Sequence, residues 1–131
     1  EAGARRAVPL KVSGPFHTPL LEEASVNLAK ELNNIEFQDM KIPVLTNVTA
    51  EVIADSNQIK DLLIKQVKSS VKWTETIRNM IDMGIDTFIE IGPSRTLSGF
   101  LRDIDRNVTS FNVEDMKSLN KTLEGIMVRN A

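Results

Sequence analysis

Segments with the character of strands and segments with the character of helices alternate along the whole of this chain, and no other feature limits its possible folds as sharply. "RRAVPLKV" is a short apolar run with β-branched residues that stops at the turn cluster Ser13-Gly14-Pro15, as a strand does. Thr18-Pro19 then opens "LLEEASVNLAKELNN", which predicts a helix with Leu20, Leu21, Ala24, Leu28 and Leu32 on one face. Thr18 is placed to cap it and Pro19 takes the first helical position. "KIPVLTNVTAEV" supplies a second strand, expected over Val44 to Val48. "SNQIKDLLIKQVKSS" predicts a second helix, with Asp55 or Ser56 as cap and Ile59, Leu62, Leu63 and Val67 at helical spacing. "WTETIRNMIDMG" predicts a third, stopping at Gly84.

The nearly continuous apolar run "IDTFIEIG" has the pattern of a strand covered on both faces, which places it centrally in a sheet. "PSRTLSGFLRDIDR" reads as a helix, "NVTSFNV" as a last strand and "MKSLNKTLEGIMV" as a closing helix. Such alternation is the mark of an α/β layer architecture with a mainly parallel sheet. In sheets of that kind the loops at the carboxyl ends of the strands build the active site. His17, Asn47 and the segment Gly92 to Ser94 all fall in loops directly after predicted strands.

Composition removes several kinds of chemistry. The chain has no cysteine and one histidine, so disulfides, thiolate catalysis, cysteine-ligated metals and multi-histidine metal sites are all excluded. A net charge of -2 provides no broad basic field for nucleic acid. Neither a charged-then-apolar leader nor an apolar run long enough to cross a bilayer occurs in these 131 residues, and a cytoplasmic location without membrane attachment is the expectation. The opening "EAGARRAVPL" enters a strand-like segment almost at once and lacks an initiator methionine, which reads as a partial chain.

His17 is the one side chain whose ordinary pKa lies near neutrality, so any general acid or base falls to it. A structural or merely exposed histidine is the plain alternative. Without cysteine the nucleophile would be a serine, yet no Gly-x-Ser-x-Gly elbow occurs. "GPSRT" approaches one, with Ser94 after Gly92-Pro93, but Thr96 stands where the second glycine belongs, and a tight strand-to-helix joint is the preferred reading. Gly92 and the helix start after it could instead hold an anion. Glu90 beside them is either a carboxylate paired at the sheet edge or an orienting or capping acid. Trp73, the only tryptophan, is expected in packing. Gln66 near a helix end is either a solvated side chain or the donor of a main-chain carbonyl free to accept from a histidine Nδ1–H.

"VSGPFHTPL", "NVTAE", "QVKSSVKWTETI" and "FIEIGPSRTLSGFL", in this order and spacing, resemble the malonyl-CoA:acyl-carrier-protein transacylases of bacterial fatty acid synthesis over nearly the whole chain. The resemblance implies a large α/β-hydrolase-like subdomain interrupted by a small ferredoxin-like one. Residues 1–12 would then be the last strand of the small subdomain and 13–131 the C-terminal part of the large one. It implies an acyltransferase that moves malonyl from malonyl-CoA to the phosphopantetheine thiol of acyl carrier protein through a malonyl-serine, with no cofactor or metal.

His17 matches the family's catalytic histidine, and Gln66 the position whose main-chain carbonyl accepts a hydrogen bond from it. Phe16 and Asn47 are the expected substrate-side residues. Arg5, Arg6 and Lys11 are the expected docking residues for an acidic carrier protein, with solvated surface charge as the alternative. The family's GHSxG serine, its malonyl-binding arginine and its N-terminal oxyanion-hole glutamine would lie upstream. The chain should therefore be inactive alone and should pair with that upstream part. Ser94 replaces the glycine common in the family's EIGPG turn, which weakens any claim for special backbone geometry there. Two rivals stand beside this reading: a serine hydrolase using Ser94 and His17, and a non-catalytic module that binds carrier protein.

Overall fold

The computed structural model describes residues 14–129 together with Gly3. The expected first strand, and the boundary between residues 12 and 13, lie outside the described residues. The chain forms two compact units, Glu1–Val71 and Lys72–Ala131.

In the first unit a 3-10 turn, Pro19–Leu21, leads into α1, Glu22–Leu32. Thr18 occupies the capping position, but its hydroxyl donates to the Pro15 carbonyl at 2.8 Å and caps nothing. The tighter winding of the 3-10 turn rotates the face that follows by about 60° relative to a continuous α-helix. The inward line therefore runs through Leu21, Ser25, Leu28 and Leu32, while Leu20 and Ala24 are exposed. Buried Ser25 satisfies its hydroxyl on the Glu22 carbonyl at 2.8 Å.

The strand expected over Val44 to Val48 does not form; Leu45 makes a single antiparallel bridge to Val52. Threonine chemistry explains the difference, because short hydroxyl side chains compete for backbone donors. Thr46 Oγ1 accepts the Thr49 N–H, Thr49 Oγ1 accepts the Glu51 N–H, and the Thr46 carbonyl accepts the Ala50 N–H at 2.9 Å. The segment turns back at Asn47 to Ala50 instead of extending. A second 3-10 turn, Ser56–Gln58, then enters α2, Ile59–Lys68, capped by Asp55, whose Oδ1 accepts the Asn57 N–H at 2.7 Å. α2 packs along α1.

The second unit runs α3 (Trp73–Asp82), β1 (Thr87–Ile91), α4 (Thr96–Ile104), β2 (Thr109–Val113) and α5 (Met116–Arg129). Gly84 ends α3 with a φ of 89°, a conformation that glycine adopts without penalty. β1 and β2 pair in parallel, Thr87 opposite Thr109 through Ile91 opposite Val113. A β–α–β unit of this kind is the α/β arrangement that the alternation demands. α4 and α5 both pack on β2, and α5 approaches so closely that a Cβ on Gly125 would stand 2.6 Å from the Phe111 ring.

The expectation that the "IDTFIEIG" strand is central and covered on both faces is not met among the described residues. β1 pairs there only with β2, and Ile89 and Ile91 remain exposed. No helix of the described residues is long and apolar enough to cross a membrane.

Candidate active site

Proline and glycine shape the loop that carries His17. Gly14 leaves room for the Phe16 ring, whose edge lies 3.3 Å from where a glycine Cβ would stand. Thr18 ties back to Pro15, and the Leu21 N–H closes on the Thr18 carbonyl at 3.1 Å. Between these ties His17 takes a left-handed backbone, φ 59°. Histidine visits that region more readily than most residues, but it is an uncommon conformation held by its surroundings.

The imidazole is exposed, and its Nδ1 lies 3.0 Å from the main-chain carbonyl oxygen of Gln66. Gln66 belongs to the last turn of α2, where carbonyls lack an intrahelical N–H. A carbonyl only accepts, so Nδ1 must donate and the lone pair of the neutral ring sits on Nε2. The contact thus satisfies an orphan acceptor and selects a tautomer at once. Beside it the Lys68 ammonium grips both carboxylate oxygens of Glu22, at 2.7 and 2.6 Å, tying the end of α2 to the start of α1. No local signal in the sequence points to that ion pair, since its members lie 46 positions apart.

Phe16, next to His17, is largely exposed, and Asn47 is half-buried in the threonine-stapled turn. Arg5, Arg6 and Lys11 lie outside the described residues.

The Gly92-Pro93-Ser94 turn has a different character. Gly92 has φ 143° and Ser94 φ 75°, so serine keeps a left-handed geometry, and the expectation of an ordinary backbone there is corrected. The reason is the set of bonds that fixes the turn from outside. Glu114 Oε2 accepts the Ser94 N–H at 3.0 Å, and Asn112 Nδ2 donates to the Ser94 carbonyl at 2.7 Å. Asn112 is a buried polar residue in an otherwise strand-like run, the one available clue that its amide has a fixed task.

Glu90 is a helix cap. Its carboxylate accepts the Leu97 N–H at 3.1 Å, the Ser98 N–H at 2.8 Å and the Ser98 hydroxyl at 2.6 Å. The Ser98 hydroxyl, with the two N–H groups adding to it against partial desolvation, holds this carboxyl below its ordinary value. The donors that an anion would need at the start of α4 are therefore already engaged. Ser94 Oγ bonds to Thr96 Oγ1 at 3.1 Å, and the unit that contains it has no histidine. That arrangement gives Ser94 no imidazole base within its own unit.

Comparison with known proteins gives the same family from sequence and from shape. The malonyl CoA-acyl carrier protein transacylase of Bacillus subtilis is 38% identical over 130 residues, 99% of this chain and 41% of that protein. A crystal structure of MCAT from Streptococcus pneumoniae superimposes with a TM-score of 0.88 at 48% identity, covering 95% of this chain and 40% of that one. A type II polyketide acyl-carrier protein in complex with its malonyl-transacylase offers a third match, with a TM-score of 0.87 and 37% identity over 95% of this chain and 40% of that one. No family model matches. The chain spans about two fifths of the length of the relatives it matches.

Proposed function

We propose that this chain, which belongs by sequence and fold to the malonyl CoA-acyl carrier protein transacylases over the part of them it spans, supplies the general acid/base half of a malonyl transfer site. One observation carries the reading: the exposed His17 ring, held by the Gln66 carbonyl so that Nε2 is the basic nitrogen.

In the complete site a serine from the upstream part attacks the thioester carbon of malonyl-CoA while its proton passes to Nε2 of His17. The C–S bond then breaks, the coenzyme A sulfur takes the proton from the imidazolium, and a malonyl-serine ester remains. In the second half the phosphopantetheine thiol of acyl carrier protein gives its proton to Nε2 and attacks the ester. The C–O bond breaks and the serine oxygen recovers the proton. General acid/base assistance of this kind contributes about 10²–10⁴-fold to a rate. The Gln66 carbonyl has the orienting role that an aspartate has in a protease triad, without bringing a second charge.

Phe16 and Asn47 line the acyl side in this reading, and Arg5, Arg6 and Lys11 meet the acidic carrier protein in the cytoplasm. Residues 1–12 close a ferredoxin-like subdomain and 13–131 belong to the α/β-hydrolase-like one. The nucleophile lies upstream, so these residues alone are inactive. Among the described residues one edge of β1 is unpaired and Ile89 and Ile91 are exposed, which is consistent with a sheet that the upstream part completes.

Ser94 supports a second reading through its left-handed backbone, the strained geometry of a nucleophile elbow. Intact mass after incubation with malonyl-CoA separates the two. The transacylase reading expects no adduct on this chain alone, and a malonyl adduct on the upstream part when both are mixed and His17 is intact. A malonyl adduct on the 131-residue chain would place the nucleophile here and overturn it.

A further inference from the structure

Five cationic side chains line one cleft of the second unit, and among the described residues none has a carboxylate partner. Arg102 comes from α4, Arg95 from the residue before it and Arg106 from the loop after it; Lys117 and Lys121 lie one turn apart on α5. The cleft between them, with β2 at its base, has a volume of about 820 Å³, the size of a small-molecule site.

Three carboxylates share the cleft, yet each is held by a main-chain donor. Asp105 accepts the Asn107 N–H at 2.7 Å, Glu114 the Ser94 N–H at 3.0 Å, and Asp115 the Ser118 N–H at 2.7 Å as the cap of α5. These bonds fix the three carboxylates but leave them anionic, so the cleft lining carries five cations against three anions, a net charge of +2. In a chain of net charge -2 this local excess runs against the overall balance.

We propose that the cleft between α4 and α5 binds a compact polyanion carrying two or more phosphate groups. Arginine forks match phosphate oxygens in pairs, and lysine supplies a point charge from the opposite wall. Cations contributed by α4 with its flanks and by α5 suit a ligand with more than one phosphate. The charges line a concavity and not a protruding face, which favours a ligand that enters over an acidic protein surface laid across. The site is independent of the His17 chemistry.

Calorimetric titration of the full chain at low ionic strength, with pyrophosphate and with a nucleoside diphosphate as probes, tests it. Saturable binding is expected, tighter for pyrophosphate than for orthophosphate, and weakened about tenfold or more by Arg102→Gln with Lys121→Gln. Lys65→Gln, in the other unit, should leave it unchanged. Backbone amide shifts on adding pyrophosphate should fall in α4 and α5 of the unmodified chain, a readout that needs no variant. Preference for the nucleoside diphosphate would assign the phosphates to a nucleotide; equal affinity would assign them to inorganic polyphosphate. Absence of saturable binding, equal binding by the double variant, or shifts confined to other elements would overturn the proposal. So would capture of a polyglutamate peptide through these residues by a chain that ignores pyrophosphate.

Discussion

The His17 loop and the Gly92–Ser94 turn use the same local device, a non-glycine residue with left-handed backbone just before a helix, and put it to opposite ends. At Ser94 the neighbouring polar groups close on one another: Glu114, Asn112 and Thr96 take the N–H, the carbonyl and the hydroxyl. At His17 one ring nitrogen is fixed on Gln66 and the other has no hydrogen-bond partner among the described residues. A strained residue does not by itself mark chemistry; the hydrogen-bonding capacity left open after the fold is made does.

Substitutions can break that contrast. The largest effect belongs to His17→Ala, which in the complete enzyme should lower kcat by about 10²–10⁴-fold while leaving the thermal transition nearly unmoved. Steady-state transfer assays beside calorimetry check both halves, and a large loss of stability with little loss of rate would make His17 structural.

Glu90 should behave in the reverse sense. Glu90→Gln is expected to cost about 1 kcal/mol of stability through the weakened cap, with no direct effect on transfer chemistry. The acid dependence carries the sign of a depressed carboxyl. The Glu90 contribution is fully present above the ordinary glutamate value, near 4.5, and is lost as pH falls from there through the lower value of the folded state. Denaturant titrations of wild type and Glu90→Gln should therefore converge as the pH falls through this range, and curves that stay parallel would remove the cap from the account.

Ser94→Gly should stabilise by about 0.5 kcal/mol, because glycine meets a φ of 75° without a Cβ penalty, less the entropy it adds to the unfolded chain. Lys68→Ala should cost at most about 1 kcal/mol, the range of a partly exposed ion pair. Gln66→Ala should change transfer least, since it keeps the carbonyl that His17 uses; loss of rate comparable to His17→Ala would mean that the side chain, and not the main chain, is the partner.

How much of this was legible depended on how far apart the interacting groups lie in the chain. The five α-helices of the described residues were legible from local signals, in the first three from apolar spacing, capping residues and Gly84. The phase of α1 did not, because nothing in "TPLLEEAS" announces a 3-10 first turn that moves Ser25 inward in place of Ala24. The missing strand at Val44 to Val48 was hidden by β-branched residues whose hydroxyls staple a turn. The apolar run of β1 was legible as a strand, but not the neighbours that its exposed isoleucines call for. His17 and Gln66 are 49 positions apart, so only the orphan carbonyl at a helix end and the family resemblance brought them together beforehand. Ser94 concealed its backbone because serine, unlike glycine, does not advertise a positive φ.

The central claim is that Gln66 fixes the tautomer of a basic His17. Nitrogen-15 NMR of the neutral imidazole, at alkaline pH, reads this directly. A protonated Nδ1 and an unprotonated Nε2 are expected, unchanged in Gln66→Ala; a neutral ring protonated at Nε2, or an even mixture of tautomers, would mean that the carbonyl does not select the tautomer.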